Sequence, residues 1–145
     1  MKTRLMNDMK EAMKAKDKLK VDTIRMVNAA IKNAEINAKK ELSESEVIDV
    51  IAREIKMRRD ALEEYKKANR PDEMAKIKEE IDILMAYMPK QLSESEIRQI
   101  VQETINQTSA QGAKDMGKVM GILMPKVKGK ADGKLVSNIV KELLG

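Results

Sequence analysis

The sequence contains no cysteine and no histidine. Thiolate nucleophiles, structural zinc sites, and every triad or proton shuttle built on imidazole are therefore excluded. The lack of cysteine also suits a reducing compartment. Phenylalanine and tryptophan are missing too, so Tyr65 and Tyr87 are the only aromatic side chains. A surface that reads nucleic-acid bases by stacking needs more rings than that. No window is apolar for long enough to span a membrane, and the opening "MKTRLMNDMKEAMKAKDK" lacks the unbroken apolar core of a signal peptide. A soluble, cytoplasmic protein is the expectation.

Charge and methionine are present in quantity. Of the 145 residues, 37% are charged and 42% hydrophobic, which is polar but still enough for a core. The 12 methionines take over the volume-filling role of the absent rings. Flexible methionine also suits promiscuous binding grooves, but core packing is its commoner use.

Apolar residues recur at helical spacing almost throughout, and no stretch alternates with period two. Leu5, Met9 and Met13, with Met6 and Ala12 beside them, mark one face of a first helix. Asp17 is placed to cap a second, whose stripe is Ile24, Val27, Ile31 and Ala34. The hexapeptides "LSESEV" (42–47) and "LSESEI" (92–97) repeat one start signal. In each, a serine caps, a glutamate three residues on reaches back, and leucine staples onto the next apolar residue. Two well-made helix starts account for them better than an ancestral repeat, because the similarity fades after six residues.

The third helix is predicted from about Glu44 to Ala68, with a charged end, "KMRRDALEEYKKANR", that reads as exposed. Pro71 restarts a fourth helix, where its missing N–H costs nothing. Met74, Ile77, Ile81, Leu84 and Met88 form its stripe. A fifth buries Ile97, Ile100, Val101 and Ile105, and a last one follows Asp132 with Leu135, Val136, Ile139, Val140 and Leu143 inside. The predicted fold is all-α: a four-helix N-terminal bundle over residues 1–89 and a three-helix C-terminal domain over 90–145. Basic residues outnumber acidic ones 20 to 18 up to Pro89, and 9 to 6 after it, so the smaller part carries the denser positive charge.

That charge is concentrated in "KDMGKVMGILMPKVKGKADGK", residues 114–134, which holds six lysines, two aspartates and four of the six glycines. Met116, Val119, Met120, Leu123 and Val127 make a helical stripe within it. Gly117 and Gly121 lie one turn apart, a spacing that reads as close packing against a neighbouring helix. Pro125 costs one backbone hydrogen bond and crowds the carbonyl of residue 121. Two outcomes stay open: a kinked helix reaching Lys128 with Gly129 as a left-handed C-cap, which the continuing stripe favours, or a stop near Leu123. At 100° per residue, Lys126 and Lys128 lie about 80° to either side of Lys118, with Lys114 near it one turn earlier. Lys130 and Lys134 extend the patch. Between Gly129 and Gly133, and at the first turn of the last helix, backbone N–H groups could face an anion. The candidate anion-binding residues are thus Lys114, Lys118, Lys126, Lys128, Gly129, Lys130, Gly133 and Lys134. A solvated basic loop is the plain alternative, and no P-loop pattern occurs.

With these residues in place, "DMGKVMGILMPKVKGKADGKLVSNIVKELL" resembles the GatB/YqeY family. "DTIRMVNAAIKN", "REIKMRRDALEEY" and "ILMAYMPKQLSESEI" extend the match over essentially the whole chain, in the free-standing YqeY-like form. The resemblance implies a four-helix and a three-helix bundle. It also implies kinship with the tail of the B subunit of tRNA-dependent amidotransferases, carbon–nitrogen ligases with glutamine as amido donor, where the tail contacts tRNA. Gly117, Gly121, Gly129, Lys130 and Ala131 stand at positions that match those tails. The tails usually continue Asn-Pro after that alanine, where this chain has Asp132-Gly133.

Catalysis by the chain alone is not expected. The Ser-Ser-Lys amidase machinery and an ATP and metal site are not in the sequence, so amidotransfer would need partner subunits. No catalytic residue, metal ligand or cofactor is assigned. Glu63, Glu64, Glu79, Glu80 and Asp82 read as solvated faces or i,i+4 partners rather than as a Mg²⁺ site. The expected function is a tRNA-binding accessory module that recognises tRNA or other structured RNA by shape and phosphate contacts, alongside the aminoacylation or transamidation machinery. The alternative is a protein-docking adaptor using an Arg58-Arg59 and Glu63-Glu64 surface. Adsorption to a membrane fits less well, because the lysines gather around glycines rather than along an apolar helix.

Overall fold

A computed structural model describes all residues, Met1–Gly145. It contains seven α-helices and no strand: α1 Lys2–Lys14, α2 Lys18–Ala38, α3 Glu44–Lys67, α4 Pro71–Met85, α5 Glu94–Thr108, α6 Met116–Val127 and α7 Gly133–Leu144. A short 3-10 turn, Ala113–Asp115, leads into α6. No helix is long and apolar enough to cross a membrane. The chain forms two compact units, Met1–Met88 and Pro89–Gly145.

Local chemistry sets most helix starts. Asp17 accepts the Lys20 N–H at the start of α2, and Asp132 accepts the Lys134 N–H at the start of α7. Both serine–glutamate capping boxes are formed, Ser43 with Glu46 and Ser93 with Glu96. Each satisfies two backbone donors that a helix start otherwise leaves bare. Pro71 stands at the first position of α4.

In the N-terminal unit, α1 packs on α2, and α2 and α4 both pack on α3. Leu5, Ile24, Val27, Ile31, Val47, Ile51, Ile55 and Leu84 form its core, joined by Tyr87. The stripe of α1 departs from expectation: Ala12 is buried, whereas Met13 is 50% exposed. Ala12 is seven residues from Leu5 and returns to nearly the same angle. Met13, eight residues on, is rotated about 80° away. Tyr87 donates its hydroxyl to Asp8, and Arg4 lies 4.5 Å above its ring. Burial, then the Asp8 carboxylate, pushes the tyrosine pKa upward, so this ring is a neutral peg between the start and end of the unit.

Two charged residues are misplaced by the sequence. Arg58 and Glu80, read as surface residues, are buried at 5% and 8% exposure. The α3–α4 packing closes over them, and Arg58 sits between Glu54 and Glu80. The proposed Arg58-Arg59 docking surface therefore loses its first member.

Glu35 at the end of α2 gathers the neighbouring segments. It accepts from the Lys2 ammonium and, at 2.9 Å, from the Leu42 N–H. The bond from Lys2, then that from Leu42, holds its carboxyl below the ordinary 4.5. A depressed folded-state pKa means that this contribution is complete above the ordinary value and disappears as pH falls through the folded one. Glu35→Gln is thus expected to lower the urea midpoint near neutrality. Its deficit against the parent chain should shrink on acidification below about pH 4. An equal deficit at both pH values would refute the assignment.

Candidate nucleic-acid interface

In the C-terminal unit, α5, α6 and α7 pack on one another. Asp115 accepts the Gln111 N–H at 3.0 Å and so fixes the entry to α6. Val119, Leu123 and Val127, all fully buried, form the inward stripe of α6, while Lys118 and Lys126 stay outside. The helix runs through Pro125 and ends at Val127. Lys128 leaves it with ψ 125, and Gly129 follows with φ +75, the left-handed conformation that suits a glycine. The favoured of the two outcomes holds in outline, one residue short: the helix survives the proline, and the left-handed residue comes after the cap. Gly133 begins α7 against Met124, whose methyl would stand 3.4 Å from an added Cβ.

All six candidate lysines are exposed, and Gly129 and Gly133 are half-buried. Lys126, Lys128, Lys130 and Lys134 lie within nine residues around the α6–α7 turn. Lys118 is two helical turns back, about 12 Å along the axis, and Lys114 is in the 3-10 turn before α6. Four lysines thus fall in and beside the α6–α7 turn, and two at the far end of α6. The 100° wheel does not extend to Lys114 or Lys128, because neither is in the α-helix. The Lys118 ammonium reaches the Thr108 carbonyl at 3.5 Å. Lys128 and Asp132 each take part in an interaction within the protein.

Two sequence-level expectations are corrected here. A Cβ at Gly117 or Gly121 would meet nothing within 4 Å, so neither glycine admits a packing neighbour. Both lie on the solvent side, two residues from the buried Val119 and Leu123. The backbone cradle between Gly129 and Gly133 is also largely committed. Lys130 N–H and Ala131 N–H both donate to the Val127 carbonyl, at 2.8 and 3.1 Å. The Lys134 N–H is taken by Asp132. Binding of an anion would fall to the ammonium groups. Leu135, expected in the core, is 38% exposed, and the face of α7 is carried by Val136, Ile139 and Val140.

One participant was missed from the sequence. The Gln91 amide donates at 2.8 Å to each of the Pro89 and Gly129 carbonyls. The Leu92 N–H donates at 2.8 Å to the Lys130 carbonyl. The segment leading into α5 therefore grips the lysine turn some forty residues later. Nothing in "MPKQLS" beyond a polar residue before a cap signalled it.

The model of the Yqey-like protein family matches residues 2–144. Among curated proteins, the chain is 41% identical over 85 residues to "Altered inheritance of mitochondria protein 41, mitochondrial" of Lachancea thermotolerans, covering 58% of this chain and 46% of that one. The Kluyveromyces lactis protein of that name is 45% identical over 84 residues, 57% of this chain and 45% of its own. That of Pyrenophora tritici-repentis is 34% identical over 104 residues, 70% and 58% respectively. The chain spans about half the length of the curated relatives it matches, and their names place those proteins in mitochondria.

Proposed function

The chain belongs to the Yqey-like protein family, and from that premise we propose that it is an RNA-binding accessory module for tRNA or similarly structured RNA. The observation that carries this reading is the grouping of exposed Lys126, Lys130 and Lys134 at one turn, with Lys114 and Lys118 at the other end of the same helix. Lysine ammoniums bind phosphate as point charges and release condensed counterions. Tyr87 is only 3% exposed and holds Asp8, and Tyr65 is half-buried. Ring stacking is thus poorly served, and recognition rests on backbone shape and charge. The proposed partners are RNA and, through it, the aminoacylation or transamidation machinery. The cytoplasm is the proposed compartment for this chain.

The test is a titration of the full chain with fluorescently labelled tRNA at several salt concentrations. With about four phosphates neutralised, affinity is expected to fall roughly 50- to 150-fold from 50 to 200 mM salt. Recovery of a protein partner after nuclease treatment, with no salt-dependent RNA affinity, would instead favour the docking adaptor.

A further inference from the structure

We infer that Gln91 is a positioning residue for the lysine turn, fixing where Lys126 and Lys130 present their charge without itself contacting the anion. Gln91 is exposed, yet both amide hydrogens are spent, one on the Pro89 carbonyl and one on Gly129. Glutamine has two amide donors and no third, so the side chain is fully committed on its donor side. With Leu92 N–H on the Lys130 carbonyl, two successive carbonyls of the turn are tied to the segment before α5. The Val127 carbonyl, just before them, takes two further N–H groups. Three acceptors that would otherwise repel a phosphate, or draw in a neighbouring ammonium, are thereby occupied.

The turn needs this grip. Lys128 is already out of the helix, Gly129 is the most permissive residue type, and Lys130 is exposed, so little packing holds this part. Leu92 and Ala131, the apolar residues flanking the grip, rest on the core of the unit. Gln91 and Leu92 thus transmit the rigidity of that core to the lysines. Ordering the turn before binding reduces the loss of freedom on association.

This role rests on the RNA-binding reading, and the experiment separates the two. In Gln91→Ala, hydrogen exchange at the Lys130 and Ala131 amides should quicken several-fold, while the amides of α5 keep their parent rates. RNA affinity should weaken about 3- to 10-fold, as expected for two exposed neutral hydrogen bonds. The slope of affinity against salt should stay that of the parent, because no cation is removed. Gln91→Glu, which has no donors, should quicken the same amides at least as much. Parent-like exchange in both variants would overturn the grip. Loosened amides with unchanged RNA affinity would overturn the positioning role. A parent chain without RNA affinity would sink the proposed function and this role together, a result distinguished from failure of the grip by the exchange data alone.

Discussion

Replacing Arg58 by methionine is expected to destabilise the N-terminal unit by about 3–5 kcal/mol, the range for removing one partner from a buried ion pair. Arg58 Nη1 lies 3.1 Å from both the Glu54 carbonyl and its carboxylate. Nε lies 3.5 Å from the Glu80 carboxylate, within ion-pair range but outside hydrogen-bond geometry. Nη2 meets the Met26 sulfur at 3.5 Å. One guanidinium therefore faces two carboxylates, and both are nearly buried. Methionine would fill much of the volume but leave two like charges out of water with nothing between them. The loss should be larger than that from truncating an exposed pair such as Lys67–Glu64, which is worth at most about 1 kcal/mol.

A second variant separates charge from packing. Changing Glu54, Arg58 and Glu80 together to leucine, methionine and leucine should recover most of the loss, since an apolar replacement of a buried ionic cluster is often neutral or stabilising. Urea unfolding of both variants decides the matter. A loss below about 1 kcal/mol for Arg58→Met would mean that water reaches the carboxylates. A triple variant as unstable as the single one would place the penalty in shape rather than charge.

This cluster shows where the sequence was legible and where it was not. Asp17, Ser43, Ser93 and Asp132 were readable as helix starts because each acts on a backbone N–H two or three residues away, and Pro71 because its own missing N–H costs nothing at a first helical position. Arg58 and Glu80 meet across 22 positions, and their burial depends on α4 closing over α3. A trace was nevertheless present. Val47, Ile51, Glu54, Ile55 and Arg58 continue one 3–4 spacing, so the inward face of α3 runs straight through its charges. The glycines tell the same story in reverse. Gly117 and Gly121 were read as packing positions, yet each is two residues from a core residue of α6, about 200° around the wheel. The lysines themselves were legible from composition. The commitment of the turn's N–H groups to Val127 and Asp132, and of its carbonyls to Gln91 and Leu92, was not, because the first depends on how the turn itself closes and the second on a segment some forty residues earlier.

The fate of those N–H groups sharpens what the lysines should do, and the variant Lys126→Ala/Lys130→Ala/Lys134→Ala carries the largest expected effect on binding. If the ammoniums, rather than the backbone, meet phosphate, removing three should lower the slope of log affinity against log salt by roughly 2 to 3. Extrapolating that change from 1 M, where the counterion contribution vanishes, gives about a 100-fold weaker affinity for tRNA at 0.15 M salt. The two chains should converge as salt rises, since the difference between them is almost wholly electrostatic. All three lysines are exposed, so the fold should be indifferent and urea midpoints should move little. Discrimination among tRNA sequences should also be unchanged, because phosphate contacts position without reading bases. A variant that keeps the parent's affinity and slope would show that this turn is an ordinary solvated loop. Reduced affinity with an unreduced slope would point to a disturbed turn instead, which is the signature expected of Gln91→Ala and not of a lost cation.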